Sequence, residues 1–237
     1  RSLMDDGEER FDDFTRHFKG LTGSVGAIWR MTPQWNARLN LSCGFRAPNL
    51  SELGSNGEHE GTFRYEIGNH ALSPERSWQF DIGMDYSSKF FSVRFSLFAN
   101  HINNYIYLQR LSDLSDRYQY MSGDARLWGG EFSADLHPIE PLHFENTFSY
   151  VSAIQLHQPS DSRYLPFTPA PRWTSDLRYD IIHDGRVLNK TFVSLGLECY
   201  LRQSHVRTAN HTETETPSYT LLNLSAGTDI IWHGRRV

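Results

Sequence analysis

The tightest constraint on this chain is a period of two that recurs over long stretches. In "WNARLNLSCGF", Trp35, Ala37, Leu39, Leu41, Cys43 and Phe45 alternate with Asn36, Arg38, Asn40, Ser42 and Gly44. In "SWQFDIGMDYS", Trp78, Phe80, Ile82, Met84 and Tyr86 alternate with Gln79, Asp81, Gly83 and Asp85. Similar rows run through Phe91–Leu97, Trp128–Leu136, Trp173–Ile181 and Val193–Leu201. Only a β-strand puts alternate residues on opposite faces, so each is a half-apolar strand. No segment carries a convincing helical period. The pattern predicts nine strands, at about 18–31, 35–45, 74–87, 90–104, 118–137, 142–152, 168–182, 190–203 and 217–231.

The connections alternate in length. "TPQ", "SSK", "HPIEP" and "HDGRVLN" are short and rich in turn formers, whereas 46–73, 105–117, 153–167 and 204–216 are long and polar. Strands joined by short turns are antiparallel hairpins. In an up-and-down sheet, one rim then carries only tight turns and the other only long loops. Trp29, Trp35 and Trp232 fall near the short-turn rim, where a membrane-interface girdle would sit. A soluble β-sandwich also needs one apolar face. Strand length and the segregation of loops favour an all-β, antiparallel transmembrane barrel wall.

Composition excludes other classes. Net charge is −5 with no block of like charge, which argues against a nucleic-acid partner. No apolar run is long enough for a transmembrane helix. The motifs G-x-S-x-G, G-x-x-x-x-G-K-[ST] and H-E-x-x-H do not occur, so no enzyme and no cofactor are expected. Asp135 and His137 share a face with Glu131, an ordinary set for the polar side of a barrel strand. Cys43 and Cys199 sit on apolar faces flanked by leucines and read as small lipid-facing residues.

The passage 44–75 breaks the alternation for nearly thirty residues. Pro48 lacks an N–H and biases Ala47 toward extended backbone, so the ladder should stop there. "TFRYEI" can pair as a small sheet above the rim. The passage therefore reads as a folded loop facing the medium.

Its motifs, "GFRAPNLSEL", "SNGEHEGTFRYEIGN" and "ALSPERSWQFDIGMDY", resemble TonB-dependent outer-membrane receptors. The matching residues are Arg46, Pro48, Asn49, Glu52, Leu53, Tyr65, Glu66, Gly68, Asn69, Leu72, Pro74 and Glu75. "SLFANHINNYI" and "FTPAPRWTSDLRY" resemble later strands, and the likeness stays in register from about 18 to 231. The resemblance implies a barrel of about 22 strands around a plug, of which 1–237 would be a partial barrel domain of about nine strands lacking plug and last strands. Both chain ends read as cuts. It further implies a Gram-negative-type outer membrane, contact with its lipid, and import of a scarce solute, such as a metal, siderophore or other chelate, driven by the TonB complex through the plug. A passive porin or adhesin barrel and a soluble binding module are the rival readings.

Candidate ligand contacts on the outer loop are Arg46, Asn49, Glu58, His59, Glu60, Arg64, Tyr65 and Glu66. Imidazole beside carboxylate suits transition metals, which makes His59, and separately His205 and His211, candidate metal ligands. Against this, Pro48, Gly68 and Asn69 suit turns, and Arg46, Glu66 and Glu75 suit a structural charge network.

Overall fold

A computed structural model describes residues 13–232 apart from 60, 63, 113 and 114, together with short backbone pairings at 4–5, 8–9 and 235–236. The elements are β1 (Gly23–Arg30), β2 (Trp35–Arg46), α1 (Leu50–Gly54), β3 (Asn56–His59), β4 (Arg64–Ile67), β5 (Glu75–Ser87), β6 (Phe91–Arg110), β7 (Arg117–Ile139), β8 (Leu142–Gln155), β9 (Arg172–Ile182), β10 (Leu188–Tyr200) and β11 (Tyr219–Trp232). Nine of these strands form one sheet in the order β1-β2-β5-β6-β7-β8-β9-β10-β11. Each neighbouring pair in that series is antiparallel. The nine expected strands are present, in sequence order.

The sheet does not close. Among the described residues β1 pairs with β2 alone, and β11 pairs with β10 and with the two residues Arg235–Arg236. Edge side chains are correspondingly bare: Val25 is 69% exposed and Leu224 83%.

Pairing carries the alternation across the sheet. Leu39 faces Ile82, which faces Leu97; Met84 faces Phe95, which faces Phe132. Leu39, Leu41, Phe80, Ile82, Phe95 and Leu97 remain 41–46% exposed, so none of the described residues covers this apolar face. The opposite face is a polar ladder. Asn40 donates to Asp81 at 3.2 Å, and Asp85 lies between Arg38 (3.1 Å) and Arg94 (3.0 Å). Alternating charge at opposed positions stabilises cross-strand pairs. Among the described residues, buried apolar side chains form two small clusters, around Leu53, Leu72 and Ile106 and around Ala125, Ala153 and Leu165. An exposed apolar band and a polar inner face are the two surfaces of a barrel wall in lipid.

The expected boundaries need four corrections. The region 105–117, expected as a loop, is mostly strand: β6 runs to Arg110 and β7 starts at Arg117. A register shift between Ile102 and Tyr105, with Asn104 at φ 56°, lets the ladder resume above it. Asn tolerates this left-handed backbone better than most residues. β1 begins at Gly23 and not near 18. The connections expected at 153–167 and 204–216 lie at 156–171 and 201–218. Finally, "LSELG" forms a helix that periodicity missed, because five residues are too few to display a period.

Candidate functional site

The long-loop rim is organised around the end of β2. There Arg46 donates through Nε and Nη2 to the two oxygens of Glu75, at 2.8 and 2.5 Å. Its Nη1 donates to both oxygens of Glu52, at 2.8 and 2.9 Å. These bonds to Glu75, then to Glu52, push the guanidinium pKa up from an already high value, so Arg46 stays charged at any ordinary pH. Glu52 has a second task. Its carboxylate accepts the Asn49 N–H at 2.8 Å, while the Asn49 side chain accepts the Glu52 N–H at 2.7 Å. This capping box starts α1 immediately after the Pro48 that ends the ladder. The charge pair thus fastens helix to strand.

Gly68 packs this helix against the returning chain. A Cβ there would lie 2.6 Å from the backbone of Leu53 and Gly54, so only glycine fits the approach. Its N–H donates to Ser55 O, and Asn69 N–H donates to Glu52 O at 2.9 Å. Leu53 and Leu72 then bury against Ile106, with Phe14, Phe18 and Tyr120 alongside. The loop is a folded cap, held by hydrogen bonds and one small apolar cluster.

Above it stands the expected hairpin. β3 pairs antiparallel with β4, and β4 also pairs parallel with the start of β7, Tyr65 facing Arg117. Buried Glu66 accepts the Tyr120 hydroxyl proton at 2.9 Å. Burial first, then this bond to a carboxylate, pushes the Tyr120 pKa up to about 12. Guanidinium groups lie over aromatic rings here: Arg64 over Tyr118 at 5.2 Å and Arg117 over Tyr65 at 5.0 Å. Among the described residues, neither Arg64 nor Arg117 has a carboxylate within ion-pair distance, and Arg117 is exposed.

The neighbouring loops, 156–171 and 201–218, are tied together by Arg207 and Glu213. Buried Arg207 donates to Ser162 O at 2.7 Å and lies over Tyr107 at 5.4 Å. Glu213 accepts the backbone N–H groups of Phe167 and Arg207, at 2.6 and 3.0 Å. Arg163 covers Tyr164 at 5.1 Å, and His205 stacks on that ring at 4.9 Å.

The sequence candidates therefore separate. Arg46, Asn49 and Glu66 are engaged in fastening the loop. Arg64 and Tyr65 belong to the stacked array on the hairpin. Glu58 and His59 are exposed at its tip, with Thr62 Oγ1 3.4 Å from His59 Nδ1. Glu60 lies outside the described residues. His211 closes a short 3-10 turn. Among the described residues, none of His59, His205 and His211 joins a group of three metal-donor side chains; the group of that kind, Asp135, His137 and His143, lies at the short-turn rim. Sequence reading missed Arg117, Tyr118 and Tyr120. Arg117 falls at the end of the segment assigned to loop and the two tyrosines at the start of the expected strand 118–137, where nothing marks them as neighbours of the outer hairpin, although "RYQY" already alternates charged or polar with aromatic.

A family model described as TonB dependent receptor-like, beta-barrel matches residues 4–234. The structure is similar to the copper transporter OprC, with TM-score 0.70 and 18% identity over 86% of this chain and 30% of that one. It is similar to the ferric enterobactin receptor PfeA, with TM-score 0.66 and 18% identity over 86% and 32%. It is also similar to the FrpB iron transporter from Neisseria meningitidis, with TM-score 0.65 and 15% identity over 89% and 32%. The chain spans about a third of the length of these structures.

Proposed function

The chain belongs to the TonB-dependent receptor β-barrel family, and from that premise we propose that it is part of the wall of an outer-membrane importer whose long-loop rim gathers an anionic metal chelate. In this reading the plug and the TonB complex, which act on the whole receptor, open the path, and the wall supplies a lipid-facing band and a polar lumen. No bond is made or broken.

The observation that carries the choice of solute is the pair of Arg–Tyr stacks on the hairpin, Arg64 on Tyr118 and Arg117 on Tyr65. A guanidinium lying over a ring keeps its planar N–H edge free for carboxylate or phenolate oxygens. The ring beneath holds the fork in place at little entropic cost. A bare cation would be repelled by this array. It would need His59 with Glu58 and Glu60 instead, the second reading, which imidazole–carboxylate chemistry favours.

The test uses the full-length receptor in detergent, titrated with a ferric tris-catecholate and separately with Zn2+. Each charge-assisted bond lost contributes about 1.5–3 kcal/mol. Arg64→Ala and Arg117→Ala should each weaken chelate binding by about tenfold or more, and His59→Ala should leave it unchanged. Unchanged chelate affinity in both arginine variants, with Zn2+ binding lost in His59→Ala, would overturn the chelate reading in favour of the metal. Uptake that persists in cells lacking the TonB complex would show a passive barrel.

A further inference from the structure

We propose that the inner wall near the short-turn rim carries a site for a divalent transition-metal ion of the zinc class, formed by Asp135, His137 and His143. The inference rests on strand register and is independent of which solute the loops gather.

The hairpin β7–β8 builds it. Asp135 and His137 are two apart on β7, hence on one face, and Asp135 lies on the polar face with Glu131 and Ser133. The register shifts between Leu142 and Phe144, so that His137 and Pro138 together oppose His143. Pro138 has no N–H to give the ladder and suits such a bulge. The regular register up to Leu136 and Phe144 already sets His137 against His143 on the face of Asp135 and Glu145, and the two ring centroids lie 4.7 Å apart with planes at 89°. The His137 N–H donates to Phe90 O at 2.7 Å, which fixes the backbone.

One donor atom from each of the three residues lies within 4.8 Å of the others, and His137 Nε2 is already 3.0 Å from Asp135 Oδ2. A tetrahedral ion with bonds near 2.1 Å holds its ligands about 3.4 Å apart. Asp180 Oδ2 stands 3.5 Å from His143 Nε2, where a carboxylate orients a ligating imidazole. Three protein donors leave a position open toward the lumen, and Asp135 borders a half-open cavity of about 490 Å³.

Two observations call for a cation here. Asp135 Oδ1 is shielded from solvent and has no hydrogen-bond partner. Asp135 also directly opposes Glu145, which in turn opposes Asp176, so three carboxylates stand in one row across β7, β8 and β9. Like charges directly opposed destabilise a sheet. Among the described residues, neither Glu145 nor Asp176 has an arginine or lysine within ion-pair distance. The nearby cations are already engaged, Arg178 with Asp180 at 2.8 Å and Arg94 with Asp85 at 3.0 Å. A divalent ion would offset the row.

The experiment takes the full-length receptor in detergent, stripped with EDTA. Co2+ is titrated by its visible absorption and then displaced with Zn2+. The expected result is one equivalent bound, lost in His143→Gln and Asp135→Asn, weakened about tenfold in Asp180→Asn, and kept in His183→Ala. A second measurement needs no variant. Diethyl pyrocarbonate modification of the wild-type receptor, read peptide by peptide, should be blocked by Zn2+ at His137 and His143 and continue at His183. Equal modification of His137 and His143 with and without Zn2+, or Co2+ binding that survives His143→Gln, would overturn the site.

Discussion

Replacing Arg46 by alanine isolates the joint between wall and loop. The side chain makes four hydrogen bonds to two carboxylates that are only 10% and 13% exposed. Breaking a buried ion pair from one side costs about 3–5 kcal/mol, because the remaining charges stay desolvated. Here Arg46 itself is 42% exposed, and each carboxylate keeps one backbone donor, Asn49 N–H for Glu52 and Ile106 N–H for Glu75. Solvent screening lowers the figure to about 2–3 kcal/mol. Arg38 is the reference: it is 47% exposed, and its partner Asp85 keeps Arg94 when Arg38 is removed. Arg38→Ala should cost under about 1 kcal/mol. The assay is urea unfolding of the full-length receptor in lipid vesicles, followed by tryptophan fluorescence. Arg46→Ala combined with Glu52→Gln should cost less than the sum of the two, since the second change removes a charge stranded by the first. Equal costs for the two arginines, or strict additivity in the pair, would refute the account of Arg46 as the fastening between β2 and α1.

In the same refolding assay, Leu41→Arg should cost about 2–4 kcal/mol if it lies near the bilayer midplane, while Asn40→Arg, beside Asp81 on the polar face, should cost little; equal costs would contradict the facing. Tyr120 supplies a pH test: its folded pKa is raised from 10.0 to about 12, so its stabilising contribution is complete below pH 10 and is lost as pH rises through about 12. A spectrophotometric titration should show a late-ionising component that loses one phenol in Tyr120→Phe and moves part of the way back toward 10 in Glu66→Gln, and a late component identical in wild type and Tyr120→Phe would assign the shift elsewhere.

The wall was legible because a strand in lipid leaves its rule in every second residue. Leu39, Ile82 and Leu97 could be placed on one face from sequence alone, and register then put them side by side. The rim was less legible because its stabilising contacts cross the chain. In "RAPNLSEL" the N-x-x-E spacing signals a capping box, but nothing there says that Glu52 will also serve Arg46, and nothing near Arg117 says that the ring beneath its guanidinium is Tyr65 on the hairpin. His137 was visible as a polar-face histidine. Its meeting with His143 depends on the register of β8 against β7, and a period within one strand does not report the register between two.

That division also accounts for 15–18% identity beside TM-scores of 0.65–0.70. Each wall position needs only to be apolar or polar in turn, and Leu, Phe, Ile and Val are exchangeable against lipid chains. Few positions are tied to a particular residue by geometry. Gly68 is one, because a Cβ would strike the helix backbone, and Arg46 is another, because only a planar fork reaches two carboxylates at once. Both lie at the rim; in the wall Gly129 and Gly130 are tied in the same way, since a Cβ there would strike the carbonyl oxygen of Tyr150 or come within 2.8 Å of that of Ser96. Change should therefore be tolerated at most positions of the band and resisted at the fastenings, and on the proposed reading the stacked arginines Arg64 and Arg117 are positions where one receptor of this build can differ from another in what it gathers.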